Sequence, residues 1–222
     1  MLTVLSFGAG QDSATLLALY RHELSFNISY LTEDFVVVFS DTGNEHPDIY
    51  VYLEEVKTIC YAEEIPFFHL TPDMGYHGKN WDSLDTQMDT HGTVFSKAFS
   101  KSCTDRLKVQ VIYRWLADWV LEKHPYLELE KKYRQKAPLV AYAKKYGKIQ
   151  VILGIAAGED KRVSKGGFPS KWQQEALQNI YPLRTLGMDR QACQDYLNKV
   201  GETIPWPSCC LKCPWANLQE LL

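Results

Sequence analysis

The chain has 222 residues, enough for one large domain, and its formal net charge of -3 gives no overall electrostatic attraction to nucleic acid or to an anionic membrane. Its hydrophobic fraction of 45% can fill a packed core. No apolar run approaches the roughly 18 residues that span a bilayer, and Met1 opens directly on a strand-like segment with no basic leader, so a soluble, cytoplasmic protein without a membrane partner is expected.

In chain order, "LTVLSF" (2–7) and "FVVVFS" (35–40) are short β-branched apolar runs of the kind that become buried parallel strands. Between them, "SATLLALYRHEL" has helical spacing, with Leu16, Leu17, Tyr20 and Leu24 on one side. A second helix is predicted in "PDIYVYLEEVKTICYAEE", with Ile49, Leu53, Val56 and Cys60 on one face and Pro47 at its start. "PFFHL" (66–70) reads as a third strand, and "TDRLKVQVIYRWLADWVLEKH" as a long helix with Leu107, Val111, Trp115 and Trp119 inward. "IQVILGI" (149–155) is a fourth strand and "DRQACQDYLNKV" (189–200) a last helix. Strands alternating with helices predict an α/β fold: a Rossmann-like parallel sheet with helices on both faces.

Two segments depart from that alternation. Residues 71–104 are polar and rich in Gly, Thr, Ser and His, and are expected to form a long loop beside the site. Residues 126–148 are expected as a basic insertion; the Lys- and Arg-rich part, with interleaved tyrosines, is either a solvated helix pair or, over 131–148, a patch for a nucleic-acid substrate or a partner protein. The reading is a single domain over 1–222 with a Cys-rich element at 205–215, and association into a homo-oligomer is left open.

The stretch "VLSFGAGQDSATLLALY" (4–20) carries the chemistry. A strand ending in glycines and opening a helix presents unpaired backbone N–H groups and the positive end of a helix dipole, which together bind phosphate. A Walker A loop would need a Lys-Ser or Lys-Thr after its glycines, and there is none here. A dinucleotide fingerprint matches Gly8 and Gly10 but meets Ser13 where its third small residue belongs, and Asp34 precedes the second strand instead of ending it.

"GAGQDS" resembles the S-G-G-x-D-S loop of the PP-loop superfamily, the N-type ATP pyrophosphatases. Four further segments follow in order. "VVVFSDTGNEHPDIYVYLEEV" is similar to a D-T-G-x-E-x-P strand motif, "KSCTDRLKVQVIYRWL" to a C-T-x-x-L-K segment, and "ILGIAAGEDKR" to G-I-R-x-x-E-x-x-R. "YPLRTLG" with "SCCLKCPW" completes the set. By these motifs, over nearly the whole chain, it resembles the phosphoadenylyl-sulfate (PAPS) reductase family, in the branch that ends in C-x-x-C-P. Gly8 stands where the loop usually has Ser, Ala9 where it has its first Gly, and Ala156 where arginine is usual; the E-C-G-L-H tail of true PAPS reductases is absent.

The resemblance implies ATP or a related adenylyl nucleotide as ligand, with Mg2+, and cleavage between the α and β phosphates coupled to sulfur transfer. The nucleotide contacts it implies are Ser6, Gly8, Ala9, Gly10, Gln11, Asp12, Ser13, Asp41, Gly154 and Glu159. Gly8 and Gly10 let backbone approach a polyphosphate, Ser13 offers a hydroxyl and an amide, and Asp12 holds Mg2+ or orients the loop. Asp41, at the carboxyl end of the second strand, is placed to contact adenosine or a metal, or is a turn residue. Arg106, Lys108, Lys161 and Arg162 are candidate clamps on phosphate charge. An adenylylating enzyme is the leading expectation. A sulfonucleotide reductase and a nucleotide-binding accessory subunit of a mobile-element or CRISPR-type defence system are the alternatives.

Among the six cysteines, Cys210 and Cys213 form a C-x-x-C pair followed by proline, with Cys209 beside them and Cys103 a distant partner. Three or four such thiolates suit a [4Fe-4S] cluster, a zinc site, or thiol-based persulfide or disulfide chemistry. Cys60 and Cys193 fall within helix patterns and are expected as buried structural thiols. His46, His69, His77 and His91 lack metal spacing.

Overall fold

Strands β1 (Leu2–Ser6), β2 (Asp34–Ser40), β3 (Phe67–Leu70), β4 (Ile149–Leu153) and β5 (Leu177–Ile180) form one sheet in the order β3-β2-β1-β4-β5, every neighbouring pair parallel. The structure, a computed structural model, describes residues 1–92, 102–163, 168–206, 210–211 and 213. Successive strand residues feed opposite faces. Val4, Val36, Val38 and Val151 enter one apolar core, while Leu5, Val37, Phe39 and Ile152 enter the other. Two buried faces explain why these strands read as unbroken apolar runs.

Helices α1 (Gln11–His22) and α2 (Leu24–Tyr30) follow β1, and α3 (Pro47–Ala62) joins β2 to β3. The short α4 (Leu84–His91) lies inside the segment expected to be all loop, and docks on the turn after β2 through Leu84 N–H to Thr42 O and the Asn44–Asp85 pair. Next come α5 (Gln110–Lys123) and α6 (Ala137–Tyr146). Then α7 (Lys171–Ala176), α8 (Pro182–Thr185) and α9 (Arg190–Val200) close the chain order. Ile49, Leu53, Val56 and Cys60 are all buried on α3, as their spacing predicts.

Three expectations are corrected. Leu24 is 73% exposed, because α1 stops at His22 and Leu24 begins α2. The helix predicted from residue 104 starts as a π-helix over Thr104–Val109 before becoming α5, with Leu107, Val111 and Trp115 buried and Trp119 partly so. β5 was not expected: its "LQNI" run is too short and too polar to stand out from sequence.

The basic segment is built into the fold. Residues 137–142 of α6 are buried in the core, and Lys132 and Lys144 both pair with Glu130. Lys136 turns inward, its Nζ buried without a hydrogen-bond partner among the described residues and 5.6 Å from the Trp172 ring centre. Burial, with Arg114 nearby, pushes its pKa down from 10.5 to about 8. The folded state therefore binds fewer protons than the unfolded chain between those values, and stability rises with pH across that window. Lys136→Met is expected to raise stability by about 1–2 kcal/mol below pH 8, a modest share because part of the side chain still meets water. The gain should fade towards pH 10.5 in thermal melts across pH, and a melting point no higher than wild type at pH 7 contradicts it.

Candidate functional site

The chain passes β1, β2 and β3 outward on one side, then crosses back to place β4 on the other side of β1. The carboxyl ends of β1 and β4 therefore flank the point where strand order reverses, where open α/β sheets form their ligand crevice. The glycine turn sits there. Gly10 caps α1 with extended backbone and no side-chain cap bond. The turn is held by Ser13, whose hydroxyl donates to Gly10 O at 2.9 Å and accepts from Gly8 N–H at 3.2 Å. Ala9 takes a φ of 54°, a left-handed conformation that costs an alanine about 1 kcal/mol or more. This is the position where the resembling family carries glycine.

Gly154, at the end of β4, closes against that turn. A Cβ there would lie 2.9 Å from Ser13 N and 3.1 Å from the Asp12 carbonyl carbon. β4 thus approaches the first turn of α1 at a distance that only glycine permits.

Asp12, its side chain 10% exposed, lies in a cluster of charges: Arg162 Nη1 is 3.9 Å from Asp12 Oδ2 and 2.5 Å from Glu159 Oε2, and Arg190 Nη2 is 3.2 Å from Glu159 Oε1. Burial, and then Glu159, push the Asp12 carboxyl up; Arg190, Arg162 and the Ala156 amide offset this only in part. Asp12 Oδ1 is buried and has no hydrogen-bond partner among the described residues. Gln11 also takes part, donating from Nε2 to Arg190 O at 3.1 Å and accepting from Gln194 Nε2 at 2.9 Å. Arg190 was missed by sequence reading; it opens an ordinary amphipathic helix, and only its contact with Glu159 marks it.

Beside this corner lies the turn after β2. Asp41 is buried and accepts from Gly43 N–H at 2.8 Å and from Tyr50 Oη at 2.9 Å, with His69 Nε2 at 3.1 Å. Burial works against its charge, but His69, the Gly43 amide and Tyr50 outweigh it and hold the carboxyl below its usual range. His77 Nε2 bonds Asp41 O at 2.8 Å. The carboxylate is thus tied to the turn amide, to α3 through Tyr50 and to β3 through His69.

The π-helical segment is anchored over the end of β2, where Ser40 Oγ donates to Leu107 O at 2.6 Å. Its two candidate clamps diverge. Arg106 is exposed, whereas Lys108 Nζ meets Glu45 Oε1 at 2.9 Å, and the Glu45 side chain is 0% exposed. Burial opposes the Lys108 charge, and Glu45, Cys210 and Asp41 together raise its pKa. Glu45 Oε1 also accepts from Thr42 Oγ1 at 3.0 Å, while Oε2 is buried without a hydrogen-bond partner among the described residues. Ser6 is the half-buried last residue of β1, and the Lys161 side chain lies outside the described residues.

The C-x-x-C turn docks on this same loop. Glu45 and Cys210 form an antiparallel bridge, Leu211 N–H donates to Asn44 O at 2.8 Å, and Cys213 N–H donates to Cys210 O at 2.9 Å. Cys210 Sγ is 3.4 Å from Thr42 Oγ1 and donates to Glu45 Oε1 at 3.8 Å. Burial, and then Glu45, push the Cys210 thiol up to about 11, so in this arrangement it is protonated at neutral pH. Cys103 opens the segment that brings Lys108 to Glu45, and Cys209 lies outside the described residues. Among the described residues no group of three or more His, Cys, Asp or Glu converges as a metal site. Cys60 and Cys193 are buried, each pushed up to about 11 by burial. Among the described residues no helix is long and apolar enough to cross a membrane.

Fold and site together define a Rossmann-like α/β protein with a glycine-rich strand-to-helix corner at the switch point of its sheet. Two solved structures are similar to it. One is phosphoadenylyl-sulfate (PAPS) reductase from Candida auris in a phosphate complex, 14% identical, covering 92% of this chain and 74% of that chain with a TM-score of 0.46. The other is the U34-tRNA thiolase NcsA from Methanococcus maripaludis with its [4Fe-4S] cluster, 11% identical, covering 100% of this chain and 62% of that chain, also with a TM-score of 0.46. No family model and no curated protein matches the chain.

Proposed function

We propose that the chain binds an adenine nucleotide at the Gly8–Ser13 corner and activates an acceptor by adenylylation. The observation that carries this reading is the corner itself: Gly154 packs against the uncapped start of α1, beside a charged cluster containing Arg162 and Arg190. Amides and dipole at a helix start favour phosphate, and guanidinium groups favour its planar pairs of oxygens. The order of the five sequence motifs supports adenosine as the remainder of the ligand.

In the reaction proposed, an acceptor nucleophile attacks the α-phosphorus of ATP, the bond from that phosphorus to the bridging oxygen of the β-phosphate breaks, and pyrophosphate leaves with the electron pair. The adenylyl group then resides on the acceptor, ready for displacement by a sulfur nucleophile. The corner amides and arginines stabilise the charge that builds on the phosphates. Asp12 fits as the holder of Mg2+, since Oδ1 is buried and lacks a partner among the described residues; the cation would neutralise polyphosphate charge. No step is assigned to the cysteines.

A second reading, a nucleotide-binding subunit without turnover, is favoured by Ala156, which is fully buried and carries no charge where the resembling motif has arginine. Calorimetry with ATP and Mg2+, followed by labelled-ATP turnover with candidate acceptors, separates the two. Saturable ATP binding and release of AMP with pyrophosphate are expected; binding without turnover selects the second reading. A chain that takes up no adenylate in any metal buffer sinks both.

A further inference from the structure

The charged cluster at the corner contains more cations than the sequence motif supplies. Arg162 comes from the motif-bearing loop after β4, but Arg190 comes from the first turn of α9, a separate element. Several contacts bring α9 to this place: Gln11 Nε2 donates to Arg190 O, Gln194 Nε2 donates to Gln11 Oε1, and Thr15 Oγ1 donates to Cys193 O at 3.4 Å. The first turn of α1 and the first turn of α9 are therefore tied together, with the Arg190 side chain projecting to Glu159.

Both guanidinium groups are bound to the two oxygens of one carboxylate, yet the Arg162 and Arg190 side chains are 53% and 59% exposed. Ion pairs with that much water around them hold weakly, so an arriving anion of higher charge can take the arginines from Glu159. A second observation points to a ligand at the same place: Asp12, nine-tenths buried in the first turn of α1, has no partner for Oδ1 among the described residues.

We infer that Arg190 is a phosphate-binding residue of this corner, and that Glu159 holds Arg190 and Arg162 in readiness for a ligand with at least two phosphate groups. The inference rests on the nucleotide reading above and deepens it to a preference for polyphosphate over monophosphate. The reason is one of oxygen supply. A single phosphate seated on the corner amides has already committed oxygens to them, and two forked guanidinium groups each take a pair more. A second phosphate provides those oxygens and the extra charge needed to displace Glu159. Asp12 and Glu159 would repel the bare anion, so the ligand arrives with its divalent cation.

The test uses the full chain in calorimetric titrations with pyrophosphate, ATP and AMP, each with Mg2+. Arg190→Gln is compared with wild type and with Lys123→Gln, a surface change at the far end of α5 that controls for net charge. Arg190→Gln should weaken ATP and pyrophosphate about ten- to a hundredfold while shifting AMP by less than about twofold, the scale of one lost charge-assisted contact. Arg190→Lys, which keeps the charge but loses the fork, should recover part of the loss. Equal losses for ATP and AMP would mean that Arg190 merely props α9 against α1, and unchanged ATP binding would mean it never meets the ligand; either overturns the inference. If wild type binds pyrophosphate through Arg190 but no adenylate, this inference stands and the nucleotide reading fails. If ATP binds without regard to Arg190, the opposite holds.

Discussion

Gly154→Ala should abolish the phosphate binding proposed for the Gly8–Ser13 corner. The new methyl would sit 2.9 Å from Ser13 N and 3.1 Å from the Asp12 carbonyl carbon. Both are backbone atoms, so no rotamer change relieves the contact. Either the end of β4 or the start of α1 must move, and overpacking of this kind costs about 1–3 kcal/mol. The effect on binding is larger, because the amides proposed to meet phosphate belong to the displaced turn, and a misplacement near 1 Å costs about a hundredfold where geometry is demanding. Calorimetry should show ATP affinity falling by about that factor, beside a melting point lower by only a few degrees. Wild-type affinity in this variant would show that phosphate does not bind at the corner.

The second large effect lies at Glu45. Its carboxylate is 0% exposed and faces Lys108 at 2.9 Å, Thr42 at 3.0 Å and the Cys210 thiol at 3.8 Å. Glu45→Ala leaves the Lys108 ammonium, on a side chain 27% exposed, without this partner, and breaking such a pair from one side should cost towards the lower end of the roughly 3–5 kcal/mol typical of fully buried pairs. In a chain of this size that is a fall of about 10 °C in melting temperature. Glu45→Leu combined with Lys108→Met removes both charges and should recover most of the loss, as replacing a buried pair by apolar groups often does. The thiol gives an independent readout. Glu45 is the charge that pushes Cys210 up and Lys108 the one that pulls it down, so Glu45→Gln should move Cys210 alkylation to lower pH. A double variant as unstable as Glu45→Ala, or an alkylation profile that does not move, would show that the pair is not the hub joining the β2 turn, the π-helix and the C-x-x-C turn.

The three deviations of this chain from the motifs it resembles have different structural weight. Ala9 occupies the left-handed position with a φ of 54°, so the backbone shape that glycine would give is retained at a cost in strain. Gly8 replaces a serine whose side-chain donor is lost, while the remaining hydroxyl, on Ser13, staples the turn from within. Ala156 is buried, and Arg190, from another helix, supplies positive charge to the same cluster.

Much of the fold was legible because its signals are local. β-branched apolar runs predicted β1, β2 and β4, and the apolar spacing of α3 predicted its buried face. The glycine corner was legible for the same reason: its strand, turn and helix start are contiguous, and Asp12 with Ser13 mark it without any distant partner. What sequence could not reveal are contacts made by sheet order and helix docking. Arg190 reaches Glu159 across 31 residues because α9 packs on α1, and Glu45 meets Cys210 because Cys210 and Leu211 pair with the backbone of the β2 turn. Lys136 looked like one more charge in a basic run until packing turned it towards Trp172. Periodicity reports which face of an element avoids water, and so it determined the layers; which charges meet at the ends of those layers depends on three-dimensional placement, and only the tertiary structure decided it.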